Sequence, residues 1–152
     1  MPDLPTDIDL TDKANFQFWT PVTLRYSDQD AMAHINNCAY AAFIEAGRTM
    51  FLGGLLDTKQ HPEIDFILAR VAIDYRREMH YPGTVNVGSR ILRLGTKSMT
   101  TGFGLFKNHE CVCTAESVNL FFETTTRTSI PIPTDIRRTL EADPMQAGRT
   151  SS

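Results

Sequence analysis

Hydrophobic and polar residues alternate along much of this chain, and the phase of the alternation divides it into elements. From Phe18 to Tyr26, the residues Val22, Leu24 and Tyr26 take turns with polar neighbours, which predicts a half-buried strand. A turn-forming stretch from Ser27 to His34 follows. Asn36 or Asn37 can cap the helix beyond it, because a short carboxamide accepts from the exposed amides of a first turn. The helix is expected to run to about Leu52 and to stop at Gly53-Gly54. At roughly 1.5 Å per residue it is about 25 Å long. Its apolar positions Ala39, Tyr40, Phe43, Ile44, Gly47, Met50 and Phe51 cover most of the circumference, the mark of a helix enclosed by other structure.

After a polar loop from Asp57 to Glu63 the pattern changes to period two and stays there. Ile67, Ala69, Val71, Ile73 and Tyr75 form one run; Val85, Val87, Ser89 and Ile91 form the next, beyond the breaker Tyr81-Pro82-Gly83. Met99, Thr101, Phe103 and Leu105 form a third, and Val112, Thr114, Glu116, Val118, Leu120 and Phe122 a fourth. Leu94-Gly95-Thr96 and Lys107-Asn108-His109-Glu110 are the short turns that antiparallel hairpins require. An α+β fold with one buried helix wrapped by a curved sheet satisfies this order. Arg137 and Arg138 begin a short terminal helix. Residues 1–15, rich in Asp, Pro and Thr, and residues 143–152 read as flexible ends around a single domain at 16–142.

Composition narrows the function. The 152 residues are 41% hydrophobic, enough to build one core. A net charge of −3 argues against a chain built to neutralise nucleic-acid phosphates, though a local basic pocket for a phosphorylated ligand is compatible with it. Three cysteines (Cys38, Cys111, Cys113) make no complete disulfide framework and lack metal-cluster spacing, as expected of reduced thiols in a cytoplasm. The acidic start carries no secretory signal, and no run of about 18 apolar residues offers a membrane span.

Chemistry concentrates at the helix entrance. Asp30 and His34 lie just before first-turn amides that have no intrahelical acceptor, a setting for an oxyanion or a polarised carbonyl. A carboxylate, an imidazole and amides within seven residues suit acyl transfer or hydrolysis. The same residues also read as turn formers and caps, and spacing alone leaves both readings open.

The block from Leu24 to Asn37 (LRYSDQDAMAHINN), followed by Tyr40 and Glu45-Ala46-Gly47-Arg48, resembles the signature of hot-dog-fold acyl-CoA thioesterases. The branch it is similar to is that of 4-hydroxybenzoyl-CoA thioesterase, where a strand ends in D-x-D-x-x-G-H-V-N-N ahead of the central helix. The resemblance runs from about residue 18 to 135, including Asp74-Tyr75 and the turn Gly95-Thr96-Lys97-Ser98. It implies a long helix wrapped by a five-stranded antiparallel sheet. It also implies hydrolysis of an acyl thioester to free acid and coenzyme A, with no metal or redox cofactor. Asp30 then matches the catalytic carboxylate, as nucleophile or as general base, with His34, Asn36 and Asn37 beside it. Ala33 stands where the pattern has glycine. Met32 stands where plant acyl-carrier-protein thioesterases carry Asn, which closes any mechanism through that amide.

Coenzyme A carries phosphates, so Arg76, Arg77, Arg90, Arg93, Lys97 and Ser98 are candidates to hold it, and Tyr40 is expected on the substrate side. As plain structure, the basic residues are a solvated set of strand-end charges. Glu45 pairs with Arg48 on the helix or meets a second copy; Asp28 reads as turn chemistry. Cys38 can be drawn as a nucleophile with His34, but reads better as packing. His61, His80 and His109 lie in separate loops, and no metal is assigned to them. The expected partners are an acyl-CoA and further copies of the chain, as a dimer or dimer of dimers, with no nucleic acid and no membrane. A thioester hydratase or dehydratase on the same fold and a non-catalytic acyl-CoA binder are the rivals. The acyl chain and the choice between coenzyme A and acyl-carrier-protein thioesters stay open.

Overall fold

The structure, a computed structural model, describes residues 8–54 and 61–145 of the 152. The expected loop positions 57–60 and the outer parts of both expected flexible ends lie outside them. In chain order the elements are β1 (Phe18–Thr23), α1 (Asn37–Gly53), β2 (Ile64–Tyr75), β3 (Thr84–Leu94), β4 (Ser98–Lys107), β5 (Glu110–Glu123), β6 (Thr128–Ser129) and α2 (Thr134–Ala142). The strands form one antiparallel sheet in the order β1-β3-β4-β5-β2, with the two-residue β6 paired to β5. The five long strands curl around α1, which packs on β1, β3 and β4.

Two apolar clusters fill the hollow. One, around the first half of α1, joins Tyr40, Phe43 and Ile44 to Leu24, Val87, Phe103 and Leu105. The other joins Phe51 and Leu52 to Ile91, Met99 and Phe121, and is closed by Ile136 and Leu140 of α2. Gly47 sits where α1 comes nearest the sheet: a Cβ there would lie 2.4 Å from Val87 Cγ1. Only glycine allows that approach.

The sequence periods hold, with corrections that have local causes. β1 ends at Thr23, because Arg25 and Asp28 close a 3-10 turn over Tyr26–Asp28 and leave Tyr26 exposed. In β2, Phe66 and Ile73 both pack on the core although their parity differs; a bulge between Leu68 and Arg70 shifts the phase. In β5 the buried positions include Cys113, Ala115, Ser117, Asn119 and Phe121, while Glu116, Val118, Leu120 and Phe122 are half-exposed. The helix is not enclosed within one chain: Ala41, Ala42, Glu45, Thr49 and Met50 face outward.

Residues 8–15 lie against the sheet. Asp12 caps a 3-10 turn at Lys13–Asn15, and the Asn15 carbonyl accepts from Arg90 Nη1 at 3.1 Å. Among the described residues no helix is long and apolar enough to cross a membrane.

Candidate active site

Asp28 and Asp30 divide the labour at the helix entrance. Asp28 is 4% exposed and accepts the Arg25 backbone amide at 2.7 Å and the Arg25 guanidinium at 2.8 and 3.2 Å. Burial pushes its carboxyl up, but the hydrogen bonds and charge of Arg25 outweigh this and hold it below the ordinary carboxylate range. The Asp28 carbonyl accepts the Asn36 amide, which joins the two ends of the loop. Asp28 is the turn former.

Asp30 is exposed, on the loop so held. Gln29 and Ile35 form an antiparallel bridge, and the Asp30 amide donates to the His34 carbonyl at 2.8 Å. Ala33 adopts φ 61°, the left-handed region that costs an L-residue roughly 1–2 kcal/mol and that glycine enters freely. The chain keeps this turn without the glycine. Asp30 Oδ1 accepts the amides of Met32 (2.9 Å) and His34 (3.2 Å), which fixes the carboxylate and leaves Oδ2 outside these bonds.

Asn36 is the N-cap of α1: its Oδ1 accepts the Cys38 amide at 2.9 Å and its carbonyl accepts that of Ala39. Asn37 opens the helix, and its carbonyl accepts the Tyr75 hydroxyl at 3.1 Å. The Tyr40 ring meets that of Tyr75 edge-on at 5.2 Å. Burial pushes the Tyr40 phenol up to about 12, with Cys113, Tyr75 and Glu78 acting in the same direction.

Asp30, His34, Asn37 and Tyr40 form one wall of a cleft of about 360 Å³, while Asn36, the expected fourth catalytic candidate, serves as the helix cap and does not line it. The other wall is Tyr75, Arg76, Arg77 and Glu78, from the end of β2 and the segment after it. Arg76 donates to Thr114 Oγ1 at 2.9 Å, and Arg77 lies 3.8 Å from Glu110. A larger hollow of about 710 Å³ lies elsewhere, between Lys13, Trp19, Phe106 and His109. It contains none of the catalytic candidates.

The remaining candidates do not line the cleft. Arg90 is buried, donates to the Asn15 and Ile91 carbonyls, and is pulled below the ordinary guanidinium range by burial. Lys97 and Ser98 belong to the turn into β4, beside the core cluster at the far half of α1: the Ser98 carbonyl accepts the Gly95 amide, and the Lys97 carbonyl that of Phe121. Glu45 and Arg48 are 3.9 Å apart on α1. Cys38 is exposed rather than packed; the buried thiol is Cys113, pushed up to about 12 by burial. Glu78 was not a candidate from spacing, yet its carboxylate lies 3.5 Å from His34 Nε2. The available signal was its place two residues from His80, across a methionine that is buried.

A helix cupped by a curled antiparallel sheet, with a carboxylate, an imidazole and two arginines in a cleft at its entrance, has the form of a hot-dog thioesterase. Residues 24–140 match the thioesterase-like superfamily. A predicted thioesterase of Bacillus stearothermophilus is 31% identical, with 82% of this chain and 94% of that one covered and a TM-score of 0.73. The PA5185 protein of Pseudomonas aeruginosa is 26% identical, with 91% and 97% covered and a TM-score of 0.76. A thioesterase of Thermus thermophilus, solved with coenzyme A and zinc, is 25% identical, with 82% and 97% covered and a TM-score of 0.72. A comparison with curated proteins finds no match. The chain belongs to the thioesterase-like superfamily, and is a thioester hydrolase of hot-dog fold.

Proposed function

We propose that the cleft hydrolyses an acyl-CoA thioester to free acid and coenzyme A, with Asp30 as the catalytic carboxylate. The observation that carries this is the convergence of Asp30, His34 and the first residue of α1 on one wall, opposite Arg76 and Arg77. Hydrolysis breaks the carbon–sulfur bond, adds the oxygen of water to the acyl carbon and delivers a proton to the thiolate. Asp30 Oδ2 either attacks that carbon or takes the proton of the attacking water. The Cys38 and Ala39 amides are taken up by Asn36, so the Asn37 amide is the first-turn donor at the cleft wall for the thioester oxygen. His34, on the same wall, supplies an imidazole beside the reacting atoms, and Tyr40 borders the acyl group.

The same reading gives the phosphates to Arg76 and Arg77. The Thermus thermophilus thioesterase solved with coenzyme A supports this ligand. No metal or redox cofactor enters the scheme. Release of free thiol from a panel of short, medium, long and aryl acyl-CoAs tests the reading. Turnover of at least one class is expected; binding without release from any would make the protein an acyl-CoA binder.

We further propose a homodimer, which can pair again as a dimer of dimers. β2 is an edge strand that exposes Ile67, Leu68 and Val71, and α1 exposes Met50. Open edges of this kind invite pairing, and a second sheet joined there would cover them and border the cleft at Tyr75. Light scattering at micromolar concentration should give the mass of two or four chains. A fully active single chain would contradict this.

A further inference from the structure

At the lip of the cleft His34 meets two side chains that the hydrolysis scheme does not use, Glu78 and His80. Met79 is buried, 2% exposed, and its neighbours Glu78 and His80 both reach outward toward His34. Glu78 Oε2 lies 3.5 Å from His34 Nε2 and 3.7 Å from His80 Nε2, and the two imidazole rings are 5.1 Å apart. One donor atom from each residue falls within 4.8 Å of the others.

At 3.5 and 3.7 Å the two nitrogen–oxygen pairs stand at ion-pair distance, longer than a close hydrogen bond. They do match metal coordination. Two ligands at about 2.05 Å from a tetrahedral zinc lie about 3.4 Å apart, close to both Glu78 separations, and the imidazole nitrogens lie within 4.8 Å of each other. The tautomer is set as well. His80 Nδ1 lies 3.3 Å from the Ala33 carbonyl, an acceptor only, so Nδ1 carries the hydrogen and Nε2 presents its lone pair to the cluster. The backbone on both sides is tied: the Ile35 amide donates to the Met79 carbonyl at 2.9 Å, Asp30 holds the His34 amide, and Lys107 donates to the His80 carbonyl. The other two histidines are engaged elsewhere, His61 with Asp135 and His109 with Lys13.

We propose that His34, Glu78 and His80 bind a zinc ion, with water as the fourth ligand. Two imidazoles and one carboxylate suit zinc better than magnesium or calcium, which prefer all-oxygen shells. The ion would tie the loop that carries Asp30 to the segment after β2, across the mouth of the cleft.

The test is calorimetric titration of untagged, EDTA-stripped and dialysed protein with zinc chloride, and thermal melting with and without zinc. One ion per chain and a melting temperature that rises with zinc are expected, because a ligand of the folded state stabilises it. Glu78→Gln and His80→Ala should each weaken binding by at least ~10-fold, the smallest effect usual for losing a ligand's support. His109→Ala should leave it unchanged, and excess magnesium should not compete. Glu78 and His80 are exposed, so both variants should fold, which far-UV circular dichroism checks. Absence of stoichiometric binding, or parental affinity in both variants, overturns the proposal. Zinc is read here without substrate, so this outcome is separate from that of the hydrolysis assay.

Discussion

Replacing Gly47 by alanine tests whether the seat of α1 on the sheet is as tight as its geometry. The new Cβ would lie 2.4 Å from Val87 Cγ1 and 3.0 Å from Val87 Cβ, where carbon contacts prefer about 3.5–4.0 Å. Val87 is wholly buried in β3 and has a stiff branched side chain, so the helix would have to lift by about 1 Å. In an open helix Gly→Ala stabilises by about 1 kcal/mol. Overpacking a core costs roughly 1–3 kcal/mol, and a gap deficit this large belongs at the upper end. The net expectation is a loss of about 2 kcal/mol, or roughly 4–8 °C in melting temperature for a domain of this length. Val87→Ala removes the methyls in the way. Alone it leaves a cavity and costs about 2 kcal/mol; added to Gly47→Ala it should cost much less, a coupling of about 2 kcal/mol. Urea unfolding of the four proteins, followed by far-UV circular dichroism, measures the cycle. Costs that add within about 0.5 kcal/mol, or a Gly47→Ala protein as stable as its parent, would refute the reasoning.

Asp28→Asn should destabilise the fold by about 2 kcal/mol, because a carboxamide turns one of the two accepting oxygens into a donor and cannot serve both the Arg25 amide and its guanidinium. Asp28 titrates below its ordinary value in the folded state, so its contribution is present above the unfolded carboxylate value near ~3.9 and is lost as pH falls through the folded value. Urea midpoints of parent and variant should therefore converge on acidification, and a gap that widens would contradict this. If Arg76 and Arg77 hold the phosphates as proposed, the KM for an acyl-CoA should rise with ionic strength while kcat changes little, since contacts at such exposed residues would be screened and would hold ground and transition states alike. Pantetheine thioesters without the nucleotide should lose most of that dependence; the same dependence in both would remove the arginines from phosphate binding.

Much of the fold was legible in period and punctuation. The 3.6 pattern ending at Gly53-Gly54 marked α1, and the turns at Gly95 and Asn108 marked two hairpins. The miss in β2 has a definite cause, that a single bulge reverses the inward face of a strand and leaves a weak trace in sequence. In β2 the apolar set Ile67, Ala69, Val71, Ile73 and Tyr75 alternates cleanly, yet the bulge between Leu68 and Arg70 leaves Ile67 and Ile73 in different phase with the core. The open face of α1 was hidden for a different reason: Ala41, Ala42 and Met50 are apolar, and hydrophobicity does not distinguish a face covered by this chain from one left open.

At the site, the local loop could be read and the long-range parts could not. Asp30, His34 and Asn36 lie within seven residues, where capping and turn chemistry apply directly. Arg76 and Arg77 reach the cleft because β2 ends there, whereas Arg90, with the same charge and a similar strand context, is buried against Asn15. Glu78 and His80 meet His34 through a contact more than forty residues long in sequence, fixed by one buried methionine and the Ile35–Met79 hydrogen bond. Spacing along the chain carries no record of that.

The central claim is that Asp30 performs the chemistry on a frame that Asp28 holds. Its most direct test is free-thiol release by Asp30→Asn, measured with the best acyl-CoA substrate and alongside the variant's affinity for coenzyme A and its urea midpoint. The account predicts a fall in kcat of at least ~100-fold, the scale on which a positioned acid–base group acts, with the coenzyme A affinity within a few fold of the parent and the fold intact. Near-normal turnover in a folded Asp30→Asn protein would contradict it.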